Sequence, residues 1–197
     1  MERERPHIDP SRRNQFGEEY PQSDQIQIAL LLLFLAVWAV DSFLLKASTQ
    51  PAEFVPLILR LPITGALIYL GILFVKRSHD LVIDEEYDEP TLVDTGVYSR
   101  VRHPMYLGVL LLYLGLAAST LSTISLGLWL GIFAAYDRMA AYEERDLIRV
   151  FDEDYVDYTR LVPRWIPRSF NAEPGESKIQ GPEADHERDR TWRELKE

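Results

Sequence analysis

From Ile26 to Leu45 the chain reads IQIALLLLFLAVWAVDSFLL, an apolar run broken by one ionisable residue, Asp41. At about 1.5 Å per helical residue, such a run crosses a hydrocarbon core of about 30 Å. A polar arm, residues 1–24, precedes it, and the run exceeds the apolar core of a secretory signal. The reading is therefore a membrane-spanning helix. A second run, Phe54 to Val75, also has spanning length and ends at Lys76-Arg77. Two more follow, Met105 to Ala118 and Leu121 to Ala135, separated by the small polar pair Ser119-Thr120. The expected fold is all-α: a multi-pass membrane bundle of about four transmembrane helices over residues 25–170, the last two forming a tight hairpin. Residues 171–197 are charged and poor in large apolar side chains, so a disordered tail is expected there.

Basic residues orient the bundle, because cytoplasmic loops carry the Lys/Arg excess. The N-terminal arm holds Arg3, Arg5, Arg12 and Arg13, the central loop Lys76, Arg77, Arg100 and Arg102, and the segment after the fourth run Arg138, Arg145 and Arg149. Of the two remaining loops, the first has only Lys46 and the second no charge. Both termini and the central loop are thus expected on the cytoplasmic face. Asp41 and Arg60 lie within apolar runs, each near the external end of its helix, and a structural ion pair between them, or snorkelling towards the headgroups, is the expectation.

The rest of the composition excludes more than it assigns. A net charge of -10 leaves no basic face for nucleic acid. With no cysteine, disulfides, thiolate metal sites and a Cys nucleophile are ruled out. The four histidines show no zinc-type spacing, so no metal is expected.

The chemistry-bearing segments lie on the predicted cytoplasmic side. In TLVDTGVYSRVRHP, Asp94-Thr95-Gly96 signals a turn, with Gly96 suited to a positive φ. Val97, Tyr98 and Val101 then supply apolar anchors. Pro104 suits the first position of a helix, which puts His103 at its N-terminus, beside free backbone N–H groups and the positive dipole end. Arg102 strengthens that anion site, since a guanidinium matches a carboxylate in a fork. The fourth run continues as YDRMAAYEERDLIRVF, where helical spacing brings Tyr136, Met139, Ala140, Glu143 or Glu144, and Leu147 to one side. A hairpin of the last two helices would bring these carboxylates against Arg102 and His103. Tyr155 and Tyr158 suit a membrane-interface belt. Val162-Pro163-Arg164-Trp165-Ile166-Pro167 is expected to be extended, with Trp165 as an interfacial anchor and the segment as a lid.

Two blocks, TLVDTGVYSRVRHPMYLG and EERDLIRVFDEDYVDYTRLVPRWIP, resemble the isoprenylcysteine carboxyl methyltransferase and phospholipid methyltransferase superfamily. With the hairpin between them they span roughly residues 91–167. The resemblance implies a cytoplasmic-face site for S-adenosylmethionine and a lipophilic acceptor entering sideways from the bilayer. The implied cofactor-binding residues are Tyr98, Arg102, His103, Tyr106, Gly108, Glu143 and Glu144. Glu144 and Arg164 are the candidates nearest the chemistry, Arg164 as a group that orients an acidic acceptor. Asp152 departs from the pattern, standing where the superfamily often has glycine. A related architecture, the NADPH-dependent sterol-type reductases, also carries an Arg-His-Pro element. That reading fits less well, because Met105 follows Pro104, the acidic block is Tyr142-Glu143-Glu144-Arg145 and no cysteine is present. A non-enzymatic membrane scaffold explains the helices but not two ordered blocks.

Overall fold

A computed structural model describes residues 23–83 and 92–167. The N-terminal arm, the acidic part of the central loop and the charged tail lie outside the described residues. Among the described residues every regular element is helical. Helix α1, Ser23–Ala39, continues into a π-helical turn, Val40–Leu45, closed by Lys46 in the left-handed region. A short helix α2, Pro51–Phe54, leads into α3, Leu57–Ile83. Helix α4, Pro104–Thr120, is joined through Leu121 and Ser122 to α5, Thr123–Phe151. Asp152 then redirects the chain into α6, Glu153–Leu161. The predicted hairpin is present, with its turn at Leu121-Ser122, two residues later than expected.

Two helices, Asp24–Leu45 and Leu57–Leu81, are long and apolar enough to cross a membrane, and Pro104–Thr120 is a shorter apolar helix. Their large side chains point outward: Leu32, Leu44, Ile58, Leu59 and Ile72 are all exposed. Contiguous apolar surface on this scale is costly in water and neutral in lipid, which identifies a membrane protein.

The closest packing is α3 against α4, made possible by glycine. A Cβ on Gly71 would lie 2.8 Å from the Gly108 carbonyl oxygen, and one on Gly108 equally close to that of Gly71. Helix α1 lies along α4 in the same direction, through Phe34 stacked on Tyr113 at 4.7 Å and Trp38 Nε1 donating to Thr120 Oγ1 at 3.2 Å. Helices α3 and α5 run the opposite way. The core between them is Phe34, Tyr106, Leu110, Tyr113, Ile132 and Tyr136.

The expected Asp41–Arg60 ion pair does not form; each charge serves a helix end. The Asp41 carboxylate accepts from the Ser48 backbone N–H at 3.1 Å and from the hydroxyls of Ser48 and Ser122. Ser122 is the N-cap of α5, so the negative charge sits at that helix's positive end. Arg60 Nη1 donates to the Ser119 carbonyl at 2.9 Å, placing its positive charge at the negative end of α4. Two dipole ends lying side by side attract the opposite charges separately.

Candidate functional site

At the other end of the hairpin, the start of α4 and the middle of α5 bring together the ionisable residues that the sequence placed there. Gly96 has φ +58, with Leu81 packed where a Cβ would stand, and Tyr98 N–H closes the turn onto the Thr95 carbonyl. Val97 and Val101 are buried, anchoring the segment as expected. Pro104 opens α4 with His103 as the N-cap residue, and both are buried. Proline at this position loses no intrahelical hydrogen bond and presets φ.

His103 lies between the paired glutamates. Its Nε2 is 3.2 Å from Glu144 Oε1 and its Nδ1 3.5 Å from Glu143 Oε2. Tyr106, stacked on the imidazole at 5.7 Å, donates its hydroxyl to Glu143 Oε1. Helical spacing settles which glutamate turns inward: Glu144 is buried, while Glu143 is partly exposed. Arg102 Nη1 approaches Glu144 Oε1 at 3.4 Å. Arg164 grips the same carboxylate in a fork, Nε to Oε1 at 2.9 Å and Nη2 to Oε2 at 2.5 Å. Its remaining nitrogen, Nη1, donates to Asp137 Oδ1 at 3.0 Å.

These neighbours reset the protonation of the cluster. Burial alone would raise the Glu144 pKa, but hydrogen bonds from His103 and Arg164, with the charges of Arg102 and Arg164, bring it down to about 2. Burial alone would lower that of His103, yet the two glutamates hold it above its ordinary value. The Trp165 hydrogen bond, followed by Arg164, keeps Asp137 below the usual carboxylate range against a smaller effect of burial. The cluster is therefore an array of compensated charges.

Segment 162–167 is non-helical: the backbone is extended at Val162, bends at residues 164–166 where a fully extended segment was expected, and crosses this array. Arg102 N–H donates to the Pro163 carbonyl at 3.0 Å. Trp165 donates to Asp137 at 2.8 Å and packs on Phe133 and His103, with ring centroids 5.2 and 6.1 Å away. Trp165, partly buried, is thus a wall of the site. Tyr155 and Tyr158 are buried, packed with Val162, Leu92 and Phe151, and do not form an interface belt. The Tyr158 hydroxyl donates to the Tyr98 carbonyl at 2.7 Å, tying α6 to the loop before α4.

A family model for phospholipid methyltransferases matches residues 59–154. Protein-S-isoprenylcysteine O-methyltransferase of Xenopus laevis is 34% identical over 93 residues, 47% of this chain and 32% of the relative. The protein of that name from Dictyostelium discoideum is 27% identical over 148 residues, 74% of this chain and 62% of its own length. These matches support a relationship of the chain to the isoprenylcysteine carboxyl methyltransferase and phospholipid methyltransferase superfamily. Methanethiol S-methyltransferase 2 of Bradyrhizobium diazoefficiens is 41% identical over 75 residues, 38% of this chain and 28% of the relative. The chain thus spans less than two thirds of each of these relatives. No solved structure matches it.

The structure gathers Arg102, His103, Tyr106, Glu143, Glu144 and Arg164 into one cluster. Tyr98 stands at its edge, joined to α6 through its carbonyl; burial pushes its phenol up. Gly108 faces α3 and serves helix packing. Asp152, in the glycine position, has φ +49, so the backbone there keeps a conformation that favours glycine. Sequence reading missed Asp137. A signal was present, since it precedes Glu144 by seven residues, two helical turns on the same face.

Proposed function

We propose that this chain is an integral membrane methyltransferase that uses S-adenosylmethionine and acts on a lipophilic acceptor. The observation that carries the reading is the Glu144 cluster: a buried carboxylate held by Arg102, His103 and Arg164 within a superfamily segment. The residues suit the donor's chemistry. Arg102 Nε is buried without a partner among the described residues, a donor group that a carboxylate would satisfy. Glu143 and Glu144 are acceptors for an ammonium group or ribose hydroxyls. The donor supplies an electrophilic methyl group on a sulfonium. The protein's part is to bind, orient and exclude water, because in-line transfer depends on approach within about 3–3.5 Å.

An apolar cavity of about 430 Å³ supports a lipophilic acceptor. Ile28, Leu31, Ile68, Leu112 and Tyr136 are among its lining residues, so α1, α3, α4 and α5 all contribute. Tyr136 meets Tyr106 edge to face at 5.1 Å, one ring from the polar cluster. On this reading the chain crosses the bilayer four times, with the cluster and both termini on the cytoplasmic face. Relatives named for isoprenylcysteine support an acceptor with a lipid tail.

Thermal denaturation in detergent tests the proposal. S-adenosylmethionine and S-adenosylhomocysteine should raise the midpoint and NADPH should leave it unchanged. Labelled methyl should then pass from the donor to a lipid-soluble product in a membrane extract. Stabilisation by NADPH alone would overturn the reading.

A further inference from the structure

Asp137 and Glu144 share one guanidinium from the same side of one helix. Glu144 takes Nε and Nη2 of Arg164, and Asp137 takes Nη1. The same Asp137 oxygen also accepts from Trp165 Nε1. The two carboxylates nevertheless have different surroundings. Glu144 is buried and already engaged by Arg102 and His103, whereas Asp137 is partly exposed and, among the described residues, is held by Arg164 and Trp165.

A ligand ammonium drawn to Glu144 would compete with Arg164 for the same oxygens, and the two cations would repel. Without a second anchor Arg164 would swing away and take the strap Pro163–Trp165 with it. Asp137 supplies that anchor at the strap's outer edge, on a helix that does not have to move. Trp165, wedged between Phe133 and His103, then stays in place as a wall.

We infer that Asp137 is a positioning residue that keeps the Pro163–Trp165 strap seated over a donor-loaded site by retaining Arg164 and Trp165 when Glu144 turns to the ligand. This inference rests on the donor-site reading above. Asp137 acts through Arg164 and Trp165 and touches no reacting atom. Its contribution should therefore appear in how slowly ligand escapes more than in how fast it arrives.

The experiment measures release of labelled S-adenosylhomocysteine from the purified full chain in detergent, after a chase with unlabelled compound. Release from Asp137→Ala should be about tenfold faster than from wild type, with association little changed. Asp137→Asn keeps an oxygen for Trp165 but loses the charge facing Arg164, so its rate should fall between the two. Asp137→Glu should restore slow release in part. Trp165→Phe, which removes the other hydrogen bond, should also accelerate release and gives a second reading if Asp137→Ala folds poorly. Wild-type release rates in Asp137→Asn and Trp165→Phe would overturn this inference alone. Failure of the wild-type chain to retain the compound would overturn the donor-site reading, and the inference with it.

Discussion

Two buried carboxylates stand at opposite ends of the helical bundle. Asp41 is satisfied by a backbone N–H and the hydroxyls of Ser48 and Ser122, neutral donors fixed by a loop and a helix cap. Glu144 is satisfied by two guanidinium groups, Arg102 and Arg164, and the imidazole of His103, carried on a loop, the strap and a helix start. Neutral partners at a helix start need no exchange, and the arrangement ties α1 to the α4–α5 turn. Ionisable partners on a loop, a helix start and a non-helical strap can be redistributed when another charged molecule arrives. Burial alone therefore does not separate a structural carboxylate from a functional one; the nature and mobility of its partners do.

Breaking the structural end should cost the most stability. Asp41→Ala leaves the Ser48 and Ser122 hydroxyls and the Ser48 N–H without their acceptor, a loss of about 2–3 kcal/mol. Denaturation in detergent should show it, while donor affinity of the folded fraction stays near wild type. An equal loss of donor affinity would merge the two ends into one functional unit.

Gly108 sharpens the comparison from within the functional end. Its substitution by Ala would put a Cβ 2.8 Å from the Gly71 carbonyl oxygen and 2.9 Å from the Val75 nitrogen, atoms of a helix backbone that cannot easily give way. The expected cost is about 1–2 kcal/mol of stability. The folded fraction should keep its donor affinity, because this residue packs against α3.

The pH dependence should distinguish the ends without large losses. His103 has a raised pKa in the fold, so its contribution is complete below its ordinary value of 6.5 and disappears as pH rises through the folded value. Glu144 works the other way: its contribution is complete above 4.5 and disappears as pH falls towards about 2. The thermal midpoint should therefore fall on both sides of that window. His103→Gln should flatten the alkaline limb, and Asp41→Ser should leave that limb in place.

The smallest effect concerns Asp152. At φ +49 a side chain costs backbone strain that glycine avoids. Asp152→Gly should raise stability by about 0.5–1 kcal/mol, read from the same denaturation curves, with donor binding unaltered.

Much of this arrangement was legible in the sequence because it depends on local rules. Apolar run length gave the helices, Pro104 gave the start of α4, and helical spacing brought Glu143 or Glu144 to the inner face without choosing between them. Gly96 was readable as a turn from its neighbours. What depended on the meeting of distant segments was harder to see. Asp41 and Arg60 looked like a pair by depth alone, but each found a nearer helix end. Trp165, Tyr155 and Tyr158 looked interfacial by type, and tertiary packing turned them inward. Asp137 carried no reading until the strap supplied Arg164 and Trp165.

The central claim is that the charged end binds a methyl donor and the neutral end does not. Its most direct test is the thermal midpoint of wild type, Glu144→Gln and Asp41→Asn, each with and without saturating S-adenosylmethionine. The account predicts a donor-induced rise in wild type and Asp41→Asn, and none in Glu144→Gln. An equal rise in all three, or no rise in wild type, would contradict it.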